Sequence, residues 1–130
     1  MFERFLDRLR SAFGGNGVDS ERQSRAYGPV TDPEFLEILE WIPADRLILD
    51  PGEIRVYECD GLPIHKRPPT AVVICTSPED VIRTVRWCHD QGRPFVPRGA
   101  GTGLSGGATP VVGCVIIDCN RMKRVLRVDY

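Results

Sequence analysis

No apolar run in the 130 residues approaches the roughly 18 that a membrane-spanning helix needs. There is almost no net charge either, since the formal balance is −1. Non-specific attraction to nucleic acid by net charge is therefore not expected, and the basic residues Arg121, Lys123, Arg124 and Arg127 have no aromatic stacking partners between them. The first residues lack a continuous apolar core and carry Glu3 and Asp7 among their arginines, which suits neither a secretory signal nor a transit peptide. A cytoplasmic, reducing location is the expectation, with peripheral membrane contact as the alternative. Histidine is scarce: His65 and His89 stand beside no candidate nucleophile. The five cysteines, Cys59, Cys75, Cys88, Cys114 and Cys119, include no CxxC pair and no zinc-like histidine spacing. Buried free thiols fit them better than a metal site or disulfides, and no metal is expected.

Glycine, by contrast, is concentrated. Of 13 in the chain, Gly99, Gly101, Gly103, Gly106 and Gly107 fall in the single stretch Phe95 to Pro110. Each costs backbone entropy on folding, so such density is uneconomical in a loop that only reverses the chain. Bare backbone lets successive N–H groups converge on one centre and approach a ligand closely, which makes a concave nest for phosphate-type anions. Thr102 and Ser105 add hydroxyls, and Arg98 puts a cation at the entrance, directed at phosphate or at solvent.

Along the chain, Phe2, Phe5, Leu6, Leu9 and Phe13 recur at helical spacing, and Gly14 to Thr31 reads as a linker. Residues 1–31 are thus an amphipathic helix with a flexible connection. Asp32-Pro33-Glu34 opens a second helix, with Phe35, Leu36, Ile38, Leu39 and Ile42 as its apolar face and Pro43 as its stop. A short turn over 44–49 and the turn signal Asp50-Pro51-Gly52 complete a helical lead-in segment over 32–66. Within it, Glu58 and Asp60 would serve as acid/base carboxylates only if the fold placed them in a pocket. Their spacing alone favours a solvated turn.

From residue 67 the texture changes. Ala71-Val-Val-Ile-Cys75 is an apolar run of strand length, suited to a strand covered on both faces. Ser77-Pro78-Glu79-Asp80 starts a helix with Val81, Ile82, Val85 and Cys88 on one face, closed by Gly92 and Pro94. Phe95-Val96 begins another strand, so the unit is strand–helix–strand with parallel strands. The glycine loop then leaves the carboxyl end of a strand, where open parallel sheets bind ligands. Cys114 to Asp118 reads as a third strand and Arg124 to Asp129 as a fourth.

Gly101-x-Gly103-x-x-Gly106 matches the dinucleotide pattern, but that pattern needs a helix to begin at its last glycine. Ala108-Thr-Pro110-Val-Val-Gly113 is a poor helix and a good approach to a strand, which disfavours a Rossmann site. No Gly-Lys-Ser/Thr ends the run, which removes a Walker loop, and no Val-Ala-x-Lys strand follows, which removes a kinase loop. A strand–loop–strand anion nest is left, and a pyrophosphate-bearing cofactor suits it.

Pro97-Arg-Gly-Ala-Gly-Thr-Gly-Leu-Ser-Gly-Gly-Ala108, followed by Val115-Ile-Ile-Asp118 and Arg121-Met122, resembles the start of the FAD-binding domain of vanillyl-alcohol-oxidase-type flavoproteins. With Tyr57-Glu-Cys-Asp-Gly-Leu62 ahead of it, the chain is most similar to the FAD-linked subunits of glycolate oxidase and related 2-hydroxy-acid dehydrogenases. The resemblance runs from about Leu39 to Tyr130. It implies an α/β (α+β) fold in which N-terminal helices precede a small parallel β-α-β subdomain, with 67–130 as the first part of the FAD-binding domain. It also implies FAD held at its pyrophosphate by Pro97, Arg98, Gly99, Ala100, Gly101, Thr102, Gly103 and Ser105, with Gly106 permitting close approach. The implied chemistry is hydride removal from a 2-hydroxy acid of glycolate or D-lactate type to the flavin. Implied partners are the remainder of the oxidase, in the same or a separate chain, and an iron–sulfur subunit.

Members of that group are several times longer, so this chain is expected to be a fragment, a truncated product or one piece of a split enzyme. No catalytic residue carries over, because the matching positions lie outside it. A non-catalytic nucleotide- or partner-binding module is the rival reading, and an NAD-binding Rossmann fragment a weaker one.

Overall fold

The computed structural model describes residues 33–130, so the expected N-terminal helix, its linker and the Asp32 cap lie outside the described residues. The first element, Pro33–Glu40, is a 3₁₀ helix that turns the predicted apolar positions inward: Phe35, Ile38 and the following Ile42 are buried. A second short 3₁₀ turn, Ala44–Arg46, leads into strand β1, Leu47–Ile48. Asp50-Pro51-Gly52 is a helix start rather than a free turn. The Asp50 carboxylate accepts from the amides of Gly52 and Glu53 at 2.8 and 3.0 Å and caps the single-turn helix α1, Pro51–Ile54.

Strand β2, Ala71–Ile74, helix α2, Pro78–Asp90, and strand β3, Phe95–Arg98, form the expected strand–helix–strand unit. Strand β4, Val115–Asp118, then inserts between its two strands, giving the order β1-β2-β4-β3. Both of β4's pairings are parallel, Val72 facing Ile116 and Val96 facing Ile116, while β1 runs antiparallel to β2. The two central strands are buried along their whole lengths, as their uninterrupted apolar runs require. Ala71, Val73, Val115 and Ile117 face α2 and the 33–42 segment, where the Phe35 and Trp87 rings meet at 5.4 Å. Val72, Ile74, Cys114 and Ile116 pack on the other side with Ile54 and the partly buried Tyr57.

Helix α2 begins with a reciprocal capping box: the Ser77 hydroxyl accepts from the Asp80 amide, and the Asp80 carboxylate accepts from the amide of Ser77. Its buried face is Thr84, Trp87 and Cys88, with Val81 and Val85 half-covered. Ile82, expected on that face, is 47% exposed, because one further step around the helix carries it past the sheet. The expected fourth strand over 124–129 does not form. Val125, Leu126 and Val128 are exposed there and the backbone is irregular, because no strand edge among the described residues is aligned with it.

Candidate cofactor site

The glycine loop leaves the carboxyl end of β3, an edge strand of the sheet, and returns at Val115 to the start of β4. No helix begins at Gly106, so the helix-dipole geometry of a Rossmann site is absent and the loop's own amides are the donors. Among the described residues, no amide from Gly99 to Ser105 donates to a backbone carbonyl. Gly99, Ala100, Thr102, Gly103 and Ser105 are exposed, with Gly101 half-buried among them. At Gly101 and Gly106 the backbone takes φ of 69° and 76°, the left-handed region that an L side chain seldom adopts. A Cβ added at Gly99 would meet nothing within 4 Å, so the loop's outer side is open to a ligand. Amides that meet no backbone carbonyl, on a bare backbone, suit a pyrophosphate, and FAD fits this donor set.

The segment Tyr57–Gly61 is applied to the loop as a clasp. Asp60 is only 7% exposed. Its Oδ1 accepts from the Leu62 amide at 2.8 Å, and its Oδ2 lies 3.5 Å from the Ala108 amide across 48 positions of sequence. Hydrogen bonds from backbone amides, the Leu62 amide first and then that of Ala108, outweigh burial and hold the Asp60 carboxyl below its ordinary value. Beside it, a Cβ on Gly61 would come within 2.8 Å of the Gly103 carbonyl oxygen and 2.9 Å of that of Thr102. Only glycine lets the two backbones lie so close.

Arg98 closes the other end of the clasp. The sequence left its direction open between phosphate and solvent, yet one guanidinium N–H donates to the Cys59 carbonyl at 2.8 Å. The same group lies 5.5 Å from the centre of the Tyr57 ring and packs so tightly under Gly101 that a Cβ there would collide with it. Burial, then the neighbouring Asp118 carboxylate that accepts from it, push the Tyr57 hydroxyl's pKa up. Asp118, at the end of β4, also accepts from the Asn120 amide at 2.7 Å. Strand ends, loop and clasp thus meet through Tyr57, Arg98 and Asp118.

Pro97, Arg98, Gly99, Ala100, Gly101, Thr102, Gly103, Ser105 and Gly106 are brought together simply by being consecutive in one loop. Glu58 and Asp60 are not a catalytic pair: Glu58 turns outward to Lys66 and Arg55, at 3.5 and 3.8 Å, whereas Asp60 turns inward. Reading the sequence missed Asp60 and Gly61 as parts of the site. The signal available was the pair itself, an acidic residue followed by a glycine ahead of a glycine-rich loop.

No group of His, Cys, Asp or Glu able to hold a metal occurs among the described residues, and none of the helices there is long and apolar enough to cross a membrane. The FAD binding domain family matches residues 69–130. The glycolate oxidase subunit GlcD of Escherichia coli (strain K12) is 35% identical over 111 residues, covering 82% of this chain and 22% of that protein. D-2-hydroxyglutarate dehydrogenase of Xanthomonas citri pv. viticola is 34% identical over 97 residues, covering 75% and 21%. Among solved structures, alkyldihydroxyacetonephosphate synthase superposes with a TM-score of 0.66 at 28% identity over 76% of this chain and 21% of its own. The chain thus spans about a fifth of the length of these relatives. Residues 69–130 thus match the FAD binding domain family, in the N-terminal part of its relatives, and FAD is the cofactor that goes with that match.

Proposed function

We propose that this chain is the N-terminal portion of an FAD-linked oxidoreductase acting on a 2-hydroxy acid of glycolate or D-lactate type, and that it supplies the cofactor's pyrophosphate site. The observation that carries the reading is the row of amides from Gly99 to Ser105, at the carboxyl end of β3, that meet no backbone carbonyl among the described residues in a mostly exposed loop. These amides, with the Thr102 and Ser105 hydroxyls, would hold the two phosphates. Pro97 and Ala100 shape the loop's approach, Arg98 holds the clasp beneath it through the Cys59 carbonyl, and Gly101, Gly103 and Gly106 keep side chains out of the way. Bound flavin supplies the redox chemistry by accepting a hydride from the substrate's α-carbon. This chain's residues bind and orient the far end of the cofactor and contribute no catalytic group. Substrate residues come from the remainder of the oxidase, in the same or another chain, and an iron–sulfur subunit is the partner we assign to electron exit. The location we assign is cytoplasmic, with contact at a membrane surface through a partner.

The short span against its relatives favours one second reading, a nucleotide-binding module that is inactive alone. Titration with FAD, followed by flavin fluorescence, tests the site. Gly103 has an ordinary φ, and a Cβ there meets only Asp60 Oδ2 at 3.9 Å, so Gly103→Trp projects a ring from a loop whose backbone is undisturbed. Saturable binding by the native chain, weakened at least about tenfold in the variant, supports the pyrophosphate site. Equal binding by both rejects it. Turnover of a 2-hydroxy acid with an artificial acceptor, appearing only when the remaining segment is added, separates the oxidoreductase from the inactive module.

A further inference from the structure

The loop contains more amides than one pyrophosphate can use, and they are divided. Those from Gly99 to Ser105 meet no backbone carbonyl among the described residues, while that of Ala108 lies 3.5 Å from the buried carboxylate of Asp60 and that of Gly106 is among the groups that lower its pKa. Gly61, pressed against the carbonyls of Thr102 and Gly103, fixes where that carboxylate sits relative to the loop's first half. We infer that Asp60 is a positioning residue for the cofactor loop: an internal anion that occupies the loop's second half and so holds its first half open for the incoming phosphates. The inference rests on the pyrophosphate reading of the loop.

The physics runs against the simplest expectation for charge. A carboxylate near a phosphate site repels the ligand, and its removal should tighten binding if repulsion dominates. Here the carboxylate's charge is met by the amides of Leu62, Gly106 and Ala108, which leaves little of it to act outward. What its removal releases is a glycine-dense segment with high backbone entropy, and FAD must then order that segment as it binds. Ordering in advance therefore outweighs repulsion.

Asp60→Asn discriminates between the two. Its remaining oxygen serves the Leu62 amide, while its NH₂ faces the donors of Gly106 and Ala108 and satisfies neither. Asp60→Ser keeps an acceptor for Leu62 and cannot reach Ala108, and covers the case in which the first variant does not fold. Two measurements on the full chain are compared: FAD affinity, and amide hydrogen exchange at Gly106 and Ala108 against the core amides of Val73 and Ile116. The expected result is FAD binding about tenfold weaker, with faster exchange confined to the loop and core exchange unchanged. Tighter or unchanged FAD binding overturns the inference, as does unchanged exchange at Gly106 and Ala108. So does failure of both variants to fold, which makes Asp60 a folding residue. Lack of FAD binding by the native chain rejects the pyrophosphate reading instead, and is told apart because it precedes any substitution.

Discussion

Two aspartates in this chain do the same job in different surroundings. Asp80 and Asp60 each gather backbone amides at the beginning of a stretch that would otherwise be loose, the one a helix, the other a glycine loop. Asp80 does so locally: its carboxylate accepts from the amides of Thr76 and Ser77 at 2.9 and 3.3 Å, four and three residues away. It also has a counterion, the Arg46 guanidinium at 2.8 Å, with both side chains largely covered. For Asp60 the described partners are amides, and the amide it shares with the loop lies 48 residues on. A carboxylate tied to its own helix and to an arginine stabilises the fold, whereas one tied to a distant loop conditions a site.

The largest effect should follow from Asp80→Ala. It removes the cap of α2 and leaves Arg46 largely covered without its partner, losses that together cost about 3 kcal/mol. Chemical denaturation should show a lower midpoint with an unchanged slope; a loss below about 1 kcal/mol would mean that the ion pair is screened like a surface one. The pH dependence sharpens this. Burial acts to raise the Asp80 carboxyl and is the largest single influence, but hydrogen bonds from the Thr76 amide, Arg46, and the Thr76 and Ser77 side-chain contacts together bring it below its ordinary value. Its contribution is therefore complete above the unfolded carboxyl pKa of about 3.9 and is lost as pH falls through the lower folded value. Asp80→Asn should flatten that acid limb.

Gly61→Ala should come next, and it acts on the other member of the pair. The added methyl meets two carbonyl oxygens of the loop backbone, which cannot swing aside as a side chain would. Overpacking of this kind costs about 1 kcal/mol at a half-open site, a fall of about 5 °C in Tm for a domain of this size. FAD affinity should drop with it, because the methyl separates Asp60 from the loop it holds. A variant with native Tm and native affinity would show that the clasp and loop are not in register as described.

What could be read from the sequence divides along the same line. Ser77-Pro78-Glu79-Asp80 announced α2 because a capping box is written within four residues, and the unbroken apolar runs at 71–75 and 114–118 announced strands buried on both faces. The glycine loop was legible for the same reason: all its residues are consecutive. Asp60 was not, since its amides come from the far side of the glycine loop and spacing alone described a solvated turn. Nor was the direction of Arg98, which depends on a carbonyl 39 residues away. The insertion of β4 between β2 and β3 is likewise a long-range pairing that no local pattern encodes. The expected strand over 124–129 failed for the opposite reason, an alternating pattern with no described edge aligned to receive it.

The smallest perturbation leaves the sequence unchanged and uses its own thiols to time the two regions. Cys75, just after β2, and Cys88, on the buried face of α2, lie in the core, where burial pushes their thiols up to about 12 and about 11. At pH 8 both are almost wholly protonated, so alkylation requires that the core open first. Cys59 sits half-buried in the clasp, its carbonyl held by Arg98. Its modification needs only the clasp to lift. Mass-resolved labelling of the native chain should therefore modify Cys59 well before Cys75 or Cys88. Asp60→Asn should speed Cys59 alone, and Asp80→Ala should speed Cys75 and Cys88 by roughly the factor of its stability loss, on the order of a hundredfold for about 3 kcal/mol. If Asp60→Asn accelerated all three together, clasp and core would open as one unit, and the division between a carboxylate that serves the fold and one that serves the site would not hold.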